Sequence, residues 1–84
     1  MYSLNLDKNA RTFLKKLDKF EQKRILNKLE DLKNNPKLGK PLTGNLAGIW
    51  SLRFGKYRAL YRILNDRLII IVLSIGYRKN IYKN

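Results

Sequence analysis

The chain has no cysteine and no histidine. The first absence excludes disulfides, zinc–thiolate sites and thiol nucleophiles. The second removes the usual general base near neutral pH and the commonest metal ligand, so no metal or cofactor is expected. Acidic residues are scarce: 6 Asp and Glu stand against 19 Lys and Arg, a formal net charge of +13. That excess goes beyond what solubility needs, and its self-repulsion opposes a compact state. A polyanion or an acidic protein that neutralised it would stabilise the fold by mass action. Long hydrophobic runs are missing too. The longest, Leu68 to Leu73, has the length of a strand and falls far short of a bilayer span. The opening MYSLNLDKNA lacks the basic-then-apolar order of a signal peptide. The expected compartment is the cytoplasm, with no membrane partner. A chain of 84 residues is expected to form one domain, with a modest core and no room for a second lobe.

The hydrophobic periods that are present give an α+β order: a strand, two helices, then three strands. Tyr2, Leu4 and Leu6 alternate with polar residues, as in a half-buried strand. Ala10, Phe13, Leu14 and Leu17 then fall on one helical stripe, with Asp7 as N-cap. Asp18 and Glu21 have the spacing of a capping box and open a second helix, with the stripe Ile25, Leu26, Leu29 and Leu32. The Asn35-Pro36 step ends it. The outward faces carry Lys8, Arg11, Lys15, Lys16, Lys23, Arg24 and Lys28, which suits a solvated surface. Residues 36–48, rich in Gly and Pro, read as a loop. Strands are predicted for Ile49 to Phe54, Tyr57 to Leu64 and Arg67 to Ile75. Gly55-Lys56 fits a type II′ turn and Asn65-Asp66 a type I′ turn between them. The last strand is apolar on both faces and is expected inside the sheet. The helix pair is expected to cover one face of this antiparallel meander.

The first hairpin carries the chemistry. A two-residue loop pairs Phe54 with Tyr57 and Arg53 with Arg58, and places Ser51 opposite Leu60. Alternation puts Arg53, Arg58 and Arg62 on one face, and Trp50, Leu52, Ala59 and Tyr61 on the other, toward the helices. Two arginines directly opposed repel one another. An anion between them turns that repulsion into charge-assisted hydrogen bonds, and arginine keeps its charge while a phosphate's negative charge grows. The tail adds Arg78, Lys79 and Tyr82. Among cations the Tyr82 phenol would ionise more easily, and it could exchange protons, stack on a base or pack on the sheet edge.

The stretch LTGNLAGIWSLRFGKYRALYRI, followed by a strand and GYRKNIY, resembles the RelE/ParE toxin superfamily. The shared pattern is Leu42 and Gly44 in the loop; Arg53, Gly55, Tyr57, Arg58 and Tyr61 in the hairpin; and the closing Arg78 and Tyr82. The resemblance covers nearly the whole chain and implies a RelE-like fold. It implies a toxin of a type II toxin–antitoxin system, acting as a ribosome-dependent, metal-independent endoribonuclease on mRNA in the ribosomal A site. The implied chemistry is attack of a ribose 2′-hydroxyl on the adjacent phosphate. Carried over by position, Arg58, Arg78 and Tyr82 would be catalytic, with Arg53, Lys56, Arg62 and Lys79 binding RNA or phosphate. The implied partners are the ribosome, mRNA and an acidic RelB-like antitoxin. Relatives with lysines on the first hairpin strand have them where this chain has Ile49 and Ser51, and relatives with a histidine before the closing arginine have it where this chain has Tyr77. The superfamily also contains ParE-like toxins that inhibit DNA gyrase without cutting RNA. An inactive RNA-binding domain of the same fold is a further alternative.

Overall fold

A computed structural model describes residues 1–79, so Tyr82 lies outside the described residues. The elements follow in the order β1 (Ser3–Leu6), α1 (Lys8–Lys15), α2 (Lys19–Glu30), β2 (Lys40–Pro41), β3 (Trp50–Phe54), β4 (Tyr57–Leu64) and β5 (Ile69–Tyr77). One five-stranded sheet has the order β1-β5-β4-β3-β2, with β1 parallel to β5 and the other neighbours antiparallel. The α+β order read from the sequence is the one observed. β5 is interior, as its two apolar faces require. No helix among the described residues is long and apolar enough to cross a membrane.

Both helices lie on one face of the sheet. Ala10 and Leu14 from α1 join Ile25 and Leu29 from α2, with Leu32 just beyond it, over Leu52, Tyr57, Ala59, Tyr61, Ile70, Val72 and Ile75. Phe13 and Leu17 complete the α1 stripe at the margin of this core. Leu26, assigned to the α2 stripe, is exposed instead, because it is turned about a quarter of a circle from Ile25. α2 ends at Glu30, earlier than the Asn35-Pro36 step, and passes through a 3₁₀ turn over Asp31–Lys33 that still buries Leu32.

The capping expectations hold in part. Asp18 accepts the Glu21 N–H at 2.8 Å and caps α2. Glu21 makes no reciprocal bond to the cap; its carboxylate takes the Tyr57 hydroxyl and Arg24 instead. Asp7 sits at the N-cap of α1 without a side-chain bond.

The β3–β4 register is the predicted one, with Phe54 opposite Tyr57 and Arg53 opposite Arg58. Gly55 has φ +58°, as the first central position of a type II′ turn requires. The second turn departs from expectation. Leu64 pairs with Ile69, so four residues intervene, and the left-handed residue is Leu68 at φ +55° rather than Asn65 or Asp66. β5 therefore starts two residues late and runs on to Tyr77. A bulge shifts its pairing from Leu60–Ser74 to Tyr61–Val72, leaving Leu73 extra. This change of phase lets Val72 and Ile75 both face the core, and it brings Gly76 beside Arg58.

The loop at 36–48 contains the unforeseen strand β2. Its anchor is Tyr61, which is wholly buried. Its hydroxyl donates to the Pro36 carbonyl at 2.7 Å and accepts the Gly39 N–H at 3.0 Å. A side chain at Gly39 would place its Cβ 2.5 Å from the Ser51 carbonyl oxygen, so only glycine permits this approach.

Candidate active site

The helices leave the other face of the sheet open, and Arg53, Arg58 and Gly76 form one row across it. Gly76 contributes no side chain to this row, and Arg58 is half-buried. The row is the floor of a cleft of about 790 Å³ at the hairpin tip, lined by Arg53, Lys56, Arg58, Tyr77, Arg78 and Lys79. Among the described residues its lining is five cations and one phenol, with no carboxylate.

Three contacts hold this array of like charges. The Arg78 N–H donates to the Lys56 carbonyl, and Arg78 Nη1 donates to the Gly55 carbonyl, both at 3.0 Å. The start of the tail therefore grips the hairpin turn by backbone and side chain together. Lys56 Nζ lies 5.7 Å from the centre of the Tyr57 ring, a cation–π distance. Behind the sheet, Tyr57 donates to Glu21 at 2.6 Å and Arg24 meets the same carboxylate at 3.2 Å. The acid that faces the hairpin from α2 is thus engaged on the helix side, away from the cleft.

These contacts set the local titrations. The bond to Glu21, with burial, pushes the Tyr57 phenol up to about 12. The same bond, helped by Arg24 and Lys56 and opposed by burial, holds Glu21 below its usual value. Burial raises the Tyr61 phenol, and the Gly39 N–H opposes that rise. Tyr57 and Tyr61 therefore remain neutral hydrogen-bonding groups at neutral pH.

Of the residues singled out from sequence, Arg53, Lys56, Arg58, Arg78 and Lys79 are brought together. Arg62 is not. It shares their face but stands four residues beyond Arg58 along β4, with Nη1 against the Gly48 loop. Tyr77 went unassigned in the sequence reading, yet it lines the cleft. It stacks on Tyr57 at 5.6 Å and meets Phe13 edge-on at 5.5 Å. The cue was its place beside Arg78 at the end of an aliphatic strand. The described residues hold no group of three or more metal-ligating side chains.

Such a cleft can bind a phosphodiester and stabilise charge growing on it. Lys56 or Lys79 can also supply a proton to a departing oxygen.

Comparisons with known proteins agree with this fold. The family described as ParE toxin of type II toxin–antitoxin systems, parDE, matches residues 4–82. Toxin RelG of Mycobacterium tuberculosis is 43% identical over 54 residues, which span 63% of this chain and 62% of RelG. The chain thus covers less than two thirds of that relative's length. The structure of the RelBE2 toxin–antitoxin complex from the same organism superposes with a TM-score of 0.84 at 34% identity, covering 92% of this chain and 98% of the other. The isolated Escherichia coli RelE toxin gives a TM-score of 0.76 at 20% identity, over 92% and 84% of the two chains, which speaks to fold alone. With a family match from the first strand to the tail, and with the RelE-like sheet and hairpin in place, this chain belongs to the RelE/ParE superfamily of type II toxin–antitoxin toxins.

Proposed function

We propose that the protein is a ribosome-dependent, metal-independent endoribonuclease that cuts mRNA in the A site and so inhibits translation. The observation that supports this best is the cleft in which Arg53, Arg58 and Arg78 converge with two lysines and, among the described residues, no acid. Arg58 and Arg78 hold the scissile phosphate, and Arg53 supports them. As the 2′-hydroxyl attacks and its proton passes to water, charge builds on the non-bridging oxygens and the guanidiniums meet it without losing their protons; the 5′-oxygen then leaves and a 2′,3′-cyclic phosphate remains. Lys56 or Lys79 protonates the departing 5′-oxygen. Tyr82 takes part by stacking on the base or by proton transfer. The ribosome supplies an exposed, ordered codon, which lowers the orientational part of the barrier.

Purified protein added to translating ribosomes should cut mRNA within the A-site codon. Arg58→Ala should reduce cutting by about two to three orders of magnitude with the fold intact. Tyr82→Phe should also lose activity. Full activity in Arg58→Ala would overturn the assignment. The partner in the resting state is an acidic RelB-like antitoxin. This is motivated by the +13 charge and by the toxin–antitoxin complex named for the 34% identical neighbour. A gene for a small acidic protein beside this one is the expected sign.

One observation favours a second reading: the matched family is described by parDE rather than by RelE. On that reading the protein inhibits DNA gyrase and cuts no RNA, and a supercoiling assay with and without the protein separates the two. RNA binding with steep salt dependence and no cleavage products would instead identify an inactive RNA-binding member.

A further inference from the structure

The open face carries a second concavity beside the first. It has a volume of about 300 Å³ and shares Arg53 and Arg58 with the cleft at the hairpin tip. Its distinctive residue is Lys40. In the β2–β3 ladder Lys40 pairs with Ser51. Paired residues share a face, and Ser51 shares its face with Arg53 two positions on. Lys40 therefore stands on the arginine side of the sheet, at its β2 edge. Leu38 and Leu42 flank it and give the concavity an apolar wall.

The position of Lys40 is fixed by the core. Tyr61 holds the Pro36 carbonyl and the Gly39 N–H from below, and the close approach of Gly39 to Ser51 seats β2 on β3. A lysine on so firmly held a backbone carries its charge within reach of a fixed Cα. The geometry of the face also supplies a direction. Neighbouring strands lie about 4.8 Å apart, so β2 is roughly 10 Å from β4, within reach of consecutive phosphates on a splayed single strand. Among the described residues, cations thus run without an intervening acid from Lys79 and Arg78, through Arg58 and Arg53, to Lys40.

We infer that Lys40 and Arg53 form a second phosphate subsite, one nucleotide away from the phosphate held by Arg58 and Arg78, with Leu38 and Leu42 against the sugar or base. The inference rests on the RNA-binding reading of the first cleft. An acidic peptide is the other polyanion that could lie here. RNA is favoured because the two concavities share Arg53 and Arg58 and because cation and apolar wall together suit a nucleotide.

The test uses a single-stranded pentaribonucleotide whose 2′-O-methyl groups prevent cutting, with binding followed by fluorescence anisotropy over a range of salt. Lys40→Ala should weaken binding roughly tenfold. It should also lower the slope of log affinity against log salt by about 0.7, the signature of one lost contact to a single strand. Lys40→Arg should restore both. Lys37→Ala, which removes an exposed charge that lines neither concavity, should change neither. A probe with one neutral methylphosphonate linkage at the neighbouring position should bind wild type and Lys40→Ala alike. An unchanged slope in Lys40→Ala, or the same change in Lys37→Ala, would overturn the inference. So would a Lys40→Ala protein that binds RNA normally but loses an acidic peptide. Because the probe cannot be cut, the two readings fail separately. Lys40-dependent binding in a protein that never cleaves RNA would keep the subsite and remove the nuclease. Cleavage with a Lys40-independent slope would do the reverse.

Discussion

At the scale of single residues, the bond between Tyr57 and Glu21 makes stability depend on pH at both ends of the scale. Tyr57 titrates at about 12 in the folded state, above its ordinary value of 10. Its contribution is therefore complete below the unfolded value and is lost as the pH climbs from 10 to 12. Glu21 is displaced the other way, below 4.5. Its contribution is complete above the unfolded value and is lost as the pH falls through the folded one. Tyr57→Phe should lower the melting temperature at neutral pH and flatten both limbs of its pH profile. A profile parallel to wild type would show that other groups govern both limbs. Leu68 offers a test of opposite sign. A leucine at φ +55° in a half-exposed turn carries backbone strain that glycine would not. Leu68→Gly should raise stability by about 1 kcal/mol, read from denaturant unfolding. A loss would mean that the leucine side chain contributes more than the strain costs.

At the scale of elements, the hairpin and β2 are separate devices that meet at Arg53. The hairpin is locally specified, while β2 is held from a distance by the Tyr61 hydroxyl. Tyr61→Phe leaves the Pro36 carbonyl and the Gly39 N–H without that partner and should cost about 1 kcal/mol. Amide exchange should then quicken across residues 36–41 and stay slow in the hairpin. Equal loosening of both would refute the separation. The same contrast explains what could be read beforehand. The pairing of Arg53 with Arg58 was legible because a two-residue turn with glycine first fixes register within six residues. The helix stripes were legible from their period. β2 was not, because a Lys-Pro pair carries no strand signal and its anchor lies more than twenty residues away. The second turn misled because Asn65-Asp66 is a good local turn sequence. Extending that turn to Leu68 frees the Leu68 carbonyl to accept the Ser3 N–H at 2.8 Å, and this tertiary bond outweighed the local preference. Tyr77 was hidden for a related reason: the bulge at Leu73 resets which β5 residues face which way.

At the scale of the whole molecule, the charge of +13 acts on folding and binding in opposite directions as salt changes. The free protein should melt at a higher temperature as salt rises, because screening relieves self-repulsion. Its complex with RNA should weaken over the same range, because counterion release is lost. A free protein whose melting temperature ignores salt would show that the cations are already too far apart to interact. The parallel pairing of β1 with β5 has a consequence of another kind. Ser3 is partnered by Ile69, and the cleft needs Arg78 to grip the hairpin turn. The sheet therefore closes only after the last strand is available to the first. During synthesis the N-terminal strand must wait for its ladder partner until residues 69–72 have left the ribosome, and Arg78 can grip the hairpin turn only later still. The cation cleft comes into being in that final step, so a nascent chain carries the charge long before it carries the site.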